Sequence, residues 1–128
     1  MRSSQLANEA NSWVENLAIK TNNPENPVQT LSGGNQQKVV LSRWLATDLS
    51  LLILDGPTVG VDIGAKFDIY SRIRQLASQG LSVIIISDDL PEILYNCNRI
   101  LVIRNGEITK ELKAEHSSEK ELAELATQ

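Results

Sequence analysis

Leu31-Ser32-Gly33-Gly34-Asn35-Gln36-Gln37-Lys38 sets a hydroxyl and two glycines directly ahead of a helical pattern. Such a start suits an anion. Glycines let the backbone approach closely, the first-turn amides point outward, and the helix dipole favours negative charge. The Ser32 hydroxyl can add a donor or cap the helix. Further on, Leu51-Leu52-Ile53-Leu54 is an apolar run ended by Asp55. A carboxylate at the C-terminal edge of a buried parallel strand lies where ligands bind in open α/β sheets. It can hold Mg²⁺ directly or through water, because magnesium keeps much of its hydration shell. Taken singly, each motif also reads as plain structure: a capped helix, and an aspartate opening the Gly56-Pro57-Thr58 turn. Together they point to phosphate and magnesium.

Other chemistry is missing from the chain. No G-x-x-x-x-G-K-[ST] phosphate loop occurs in it. His116 stands alone in a polar stretch, and Cys97, the one cysteine, reads as a small buried apolar residue. Trp13 and Trp44 fall on apolar stripes and read as core. Glu119, Lys120, Glu121 and Glu124 read as a solvated helix face with helical charge pairing.

The elements that must position these residues follow from periodicity and breakers. Leu6, Ala10, Trp13, Val14, Leu17 and Ala18 form one helical stripe over residues 4–20. The stretch 21–28, with Asn22-Asn23-Pro24 and Asn26-Pro27, is a loop. A second helix starts after Ser32 and runs to about Thr47, with Val40, Leu41, Trp44 and Leu45 inward. Leu51 to Leu54 forms a strand covered on both faces, and residues 57–62 turn. A third helix buries Ile63, Phe67, Tyr70, Ile73, Leu76 and Ala77 and ends at Gly80. Ser82 to Ser87 is a second buried strand, and a short helix follows from Pro91 to about Asn96. Arg99 to Arg104 and Glu107 to Leu112 form a hairpin through Asn105-Gly106, and residues 117–126 form a last helix. This order indicates an α/β layered sheet with right-handed crossovers.

The chain has 128 residues, enough for one domain with a core. Its 41% hydrophobic and 22% charged residues fit a globular protein. A formal charge of −4 gives no basic field for nucleic acid or anionic lipid. The longest apolar run is too short to span a bilayer, and the first residues lack the apolar core of a secretory signal. Any membrane association is expected through a partner.

Residues 31–38, Leu51 to Thr58 and Gly60-Val61-Asp62-Ile63-Gly64-Ala65-Lys66 resemble the signature, Walker B and D-loop segments of an ABC transporter nucleotide-binding domain. The wording is similar to the carboxyl-terminal ATPase half of the fused double ATPases of bacterial sugar importers. The resemblance implies a partial P-loop NTPase fold: mainly parallel strands, a C-terminal hairpin, and part of the ABC helical subdomain in front. It divides the chain into a signature-bearing part (1–48), a sheet core (49–112) and a polar C-terminal part (113–128). It implies that Ser32, Gly33 and Gly34, with Gln36, bind the nucleotide, contacting the γ-phosphate of ATP held by the opposite domain of a dimer. Asp55 matches the Mg²⁺-associated aspartate, and Asp62 the D-loop aspartate that signals across the dimer. Leu90-Pro91-Glu92 matches the segment beyond the switch residue.

Departures limit what the resemblance carries. The phosphate loop and glutamine loop would lie ahead of residue 1, so the chain has no evident grip on ATP of its own. Gly56 stands where the family has a general-base glutamate, and Asp88 where it has the switch histidine. The expected function is an importer component for a sugar or other small polar solute, catalytically incompetent alone, with ATP and Mg²⁺ in a composite site. Its partners would be a complete ATPase half or double ATPase and a membrane permease, at the cytoplasmic face of the inner membrane, with no direct insertion. A non-catalytic interaction or regulatory module, or a truncated product without function, is the alternative.

Overall fold

The computed structural model describes residues 2–127. The order is α1 (Arg2–Asn16), α2 (Gly33–Leu45), β1 (Leu51–Asp55), α3 (Ile63–Ser78), β2 (Ser82–Ile86), α4 (Leu90–Asn96), β3 (Arg99–Arg104), β4 (Glu107–Lys113) and α5 (Glu119–Thr127), with 3-10 turns at Val28–Thr30 and Ala114–His116. The chain forms two compact units: the residues up to Leu52 with Pro57–Val83, and Ile53–Gly56 with the residues from Ile84 on.

In the first unit, α1 stops at Asn16, short of the expected residue 20. Ala18 adopts a left-handed φ of 48°. Its amide bonds Glu15 O, and Ile19 N bonds Val14 O, which is a Schellman stop with alanine in the place glycine usually takes. Leu17 and Ile19 are buried just past the helix, whereas Leu6 and Ala10 remain exposed. The apolar spacing persists across the break, and that is why periodicity overran it.

Helix α2 ends two residues before the expected Thr47, and its buried face differs from the expected one. Gly34, Lys38, Leu41 and Ser42 point inward, a spacing of four, seven and eight. Val40 and Trp44 are exposed, so Trp44 is not core, and Trp13 is only half-buried. Helix α3 buries Ile69, Tyr70 and Ile73. Ile63 and Phe67, expected on the same face, are 87% and 67% exposed. Gly80, at φ 107°, follows the end of α3.

Strands β1 and β2 pair. Ser82 N donates to Ser50 O, and Gly56 N donates to Ile86 O. Residue numbers rise together along both strands, so the pair is parallel. Cover on both faces was expected. Instead Leu52 is buried while Leu51, Ile53, Ile84 and Ile86 are about half exposed. Among the described residues, only one face of this strand pair is packed.

In the second unit, β3 and β4 pair antiparallel, with Arg104 opposite Glu107 and a register shift at Val102/Ile103. Asn105 and Gly106 have φ of 49° and 81°, the two positive values a type I′ turn requires. Ile100, Ala114 and Leu122 form the core, with Leu90, Ile93, Leu94 and Leu112 against it. The Arg104 guanidinium donates to Leu125 O, tying the hairpin to the end of α5. Parallel and antiparallel pairs thus share one α/β chain.

Candidate functional site

The signature residues build a well-defined local structure in the first unit. Ser32 is the N-cap residue of α2, with extended backbone, and its carbonyl accepts Gln36 N at 2.9 Å. Its hydroxyl does not bond a helix amide. Instead Ser32 Oγ accepts from Asn35 Nδ2 at 2.9 Å, and Asn35 Oδ1 accepts from Lys20 N at 2.9 Å. The cap that the sequence allows is therefore not made. Gln36 Nε2 donates to Leu31 O at 2.9 Å, bracing the turn that enters the helix. Ser32 and Gly33 are exposed and Gly34 is buried.

Gly34 is buried because α3 starts there. A Cβ on Gly34 would stand 2.7 Å from the Ala65 Cβ and 3.4 Å from Asp62 Oδ2. Any side chain would push the two helix starts apart. A Cβ on Gly33 would meet only Gly60 O, at an ordinary 3.7 Å, so its glycine is not forced by packing. Asp62 caps α3, its Oδ1 accepting Ala65 N at 3.0 Å. The signature and D-loop segments, 27 residues apart between Gly34 and Val61, are thus brought together.

Lys38 was not singled out by sequence reasoning. It is 2% exposed, and its Nζ donates to Ala18 O at 3.1 Å and to Asp68 Oδ2 at 2.6 Å. One ammonium therefore links α2 to the left-handed turn after α1 and to α3. The signal was available in the spacing: Lys38 lies four after Gly34 and four before Ser42, on the inward face.

The second unit holds Asp55, Gly56 and Asp88. Asp55 is exposed at the carboxyl end of β1, and Asp88 is exposed just beyond the carboxyl end of β2. Gly56 has φ 55°. Ser87 Oγ donates to Glu92 Oε2 at 2.9 Å and accepts Asp89 N at 3.1 Å. Asp89 Oδ1 accepts Glu92 N at 3.1 Å, capping α4. This is a capping box in which the Ser87 hydroxyl stands between glutamate and N-cap amide. Cys97, half-buried, has its thiol pushed up, first by burial and then by the Glu92 carboxylate. It stays a neutral thiol at neutral pH, consistent with a packing role.

An open glycine-rich helix start with a free hydroxyl proton fits a terminal phosphate. Among the described residues, no group of three or more His, Cys, Asp or Glu could hold a metal ion.

The ABC transporter family profile matches residues 2–59. The "Putative ribose/galactose/methyl galactoside import ATP-binding protein 3" of Burkholderia ambifaria is 44% identical over 124 residues, 97% of this chain and 24% of that protein. The arabinose import ATP-binding protein AraG of Yersinia pestis is 48% identical over 113 residues, 88% of this chain and 22% of that one. The chain spans about a quarter of the length of these relatives. A solved nucleotide-free ATP-binding cassette from an ABC transporter matches with a TM-score of 0.76 at 26% identity, over 94% of this chain and 46% of that one. A dimeric cassette bound to ADP and phosphate matches in fold, with a TM-score of 0.73 at 24% identity over 84% of this chain and 46% of that one. With the glycine-rich helix start, the strand-borne aspartate and the α/β fold all in place, the chain belongs to the ABC transporter nucleotide-binding domains, as a partial domain homologous to the sugar-import ATP-binding proteins.

Proposed function

We propose that the chain is an ATP-binding component of an importer for a sugar or other small polar solute. It presents Ser32, Gly33 and Gly34 to the γ-phosphate of ATP held by a partner ATPase half, and Gln36 holds that turn in shape. The observation that carries this reading is the open start of α2, where the serine hydroxyl is not consumed in capping. ATP supplies the charged phosphate, and Asp55 is assigned separately to Mg²⁺. Asp62 is assigned to contact across the paired ATPase halves; Asp88 stands at the switch position, where a carboxylate would repel a phosphate unless metal-bound or protonated.

Gly56 makes hydrolysis by this chain alone an unexpected activity. Loss of a positioned general base typically removes about 10²- to 10⁴-fold in rate. The partners that complete the reading are a complete ATPase half and a membrane permease, at the cytoplasmic face of the inner membrane. No helix among the described residues is long and apolar enough to cross a membrane.

Calorimetry with Mg²⁺ and ATP tests this, on the chain alone and mixed with a complete homologous ATPase half. No binding alone and tighter binding in the mixture is the expected result. Binding by the chain alone would show a grip on ATP outside the assigned residues. Silence in both would favour a non-catalytic interaction module, the reading that Gly56 also supports.

A further inference from the structure

We infer that Asn35 is a positioning residue for the phosphate contact, setting the direction in which the Ser32 hydroxyl donates. The inference rests on the reading of Ser32 as a phosphate-contacting residue.

The hydrogen bonds fix the arrangement. Lys20 N can only donate, so the Asn35 atom facing it at 2.9 Å must be the carbonyl oxygen. That settles the orientation of the amide and leaves Asn35 Nδ2 facing Ser32 Oγ at 2.9 Å. An amide nitrogen has no lone pair to accept with, so Ser32 Oγ must be the acceptor here. The Ser32 proton therefore points elsewhere. The helix amides do not take up that hydroxyl as a cap either. Ser32 is exposed, so the remaining direction is outward, over the first turn of α2. Donors run in one sense, from Lys20 N through Asn35 to Ser32, and such a chain strengthens its last donor. An anion arriving there meets a serine proton beside the exposed Gly33 at the helix start.

The same network explains why asparagine is apt at this position. A carboxylate at residue 35 would still accept from Lys20 N, but it would draw the Ser32 proton inward. An aliphatic residue would leave the hydroxyl free to turn back onto the helix amides and cap them.

A double-substitution cycle on the full chain tests the inference, with association to a complete homologous ATPase half in Mg²⁺ and ATP as the readout. Asn35→Ala is expected to weaken ATP-dependent association about tenfold when Ser32 is present, the loss of one charge-assisted hydrogen bond. In the Ser32→Ala background the same change is expected to weaken it less than about twofold. Equal weakening in both backgrounds would overturn the inference, because a loosened Lys20 loop would act without regard to the serine. A second measurement needs no nucleotide. The side-chain amide resonances of Asn35 in the chain alone should shift, with faster proton exchange, on Ser32→Ala; unchanged resonances would overturn the inference. If the unsubstituted chain shows no ATP-dependent association, the proposed function fails, and the amide resonances still decide the role of Asn35.

Discussion

The starts of α2 and α3 meet at Gly34 and Ala65, yet they treat their first-turn amides in opposite ways. On α3, Asp62 Oδ1 takes the Ala65 amide at 3.0 Å. The starts of α4 and α5 do the same, through Asp89 to Glu92 N and Ser118 to Glu121 N. On α2 the cap residue turns its hydroxyl to Asn35 instead. A made cap stabilises a helix by about 1 kcal/mol and occupies amides that an anion could otherwise use. Helix α2 forgoes that stabilisation at the one start where a phosphate contact is proposed. Its position must then be secured from behind, by Lys38 and by the glycine contact with α3. Structure and proposed chemistry are thereby divided across one helix: the Ser32 and Gly33 side of its start is left open, while Gly34 and Lys38 lock its inward face.

The lock is where the largest effects are expected. Asp68→Asn keeps an oxygen acceptor but removes the countercharge of the buried Lys38 ammonium, leaving only the neutral acceptors Ala18 O and the new amide. An uncompensated buried charge of this kind costs about 3 kcal/mol, read as a lower denaturation midpoint with an unchanged slope. If the midpoint moves by less than about a third of that, the pair is not what holds α2, and the division drawn above fails. Gly34→Ala comes next, at about 2 kcal/mol, because its methyl would stand 2.7 Å from the Ala65 Cβ. Combining it with Ala65→Gly should recover part of the loss, and a purely additive double variant would show that the two helix starts do not press on each other. Gly56→Glu sharpens the comparison from the second unit. Restoring the side chain expected after Asp55 puts it at φ 55°, which costs about 1.5 kcal/mol. Thermal unfolding checks this, and Gly56→Asn should cost less because asparagine tolerates that conformation better.

What the sequence made legible tracks how local the cause is. The hairpin through Asn105-Gly106 is set by its own turn residues, and it stands where turn chemistry put it; the cap at Asp62 is equally local but reads in the sequence only as part of a turn. The end of α1 was missed because its stop uses Ala18, where glycine would have been the readable mark. The inward faces of α2 and α3 were misread for a different reason. Lys38 counts as polar in any pattern, and only the distant Asp68 and Ala18 make it a core residue. Once it is inward, Val40 and Trp44 must rotate out. Ile63 and Phe67 of α3, like Leu51 and Ile53 of β1, are apolar without cover among the described residues, and no single-chain pattern separates such positions from core. For the site, the residue types were readable and their pairing was not. Nothing in the spacing told that Ser32 would bond Asn35 in preference to its own helix, or that Asp62 would come to lie against Gly34.

The smallest expected effects carry the comparison most directly. Asp62→Ala removes a made cap and should lower stability by about 1 kcal/mol. Ser32→Ala removes the same kind of residue from the same position of α2, where no cap bond exists, and should cost no more than about 0.3 kcal/mol, well below a cap deletion. Chemical denaturation of the two variants side by side reads the difference, each on the full chain without nucleotide. Equal losses would mean that Ser32 caps α2 in solution, so that its hydroxyl is turned inward and an arriving phosphate would have to displace it. A large gap between them would leave Ser32 with little structural duty. Its hydroxyl would then be held for something outside the chain, and a loss of ATP-dependent pairing in the same Ser32→Ala variant could not be explained by a weakened helix.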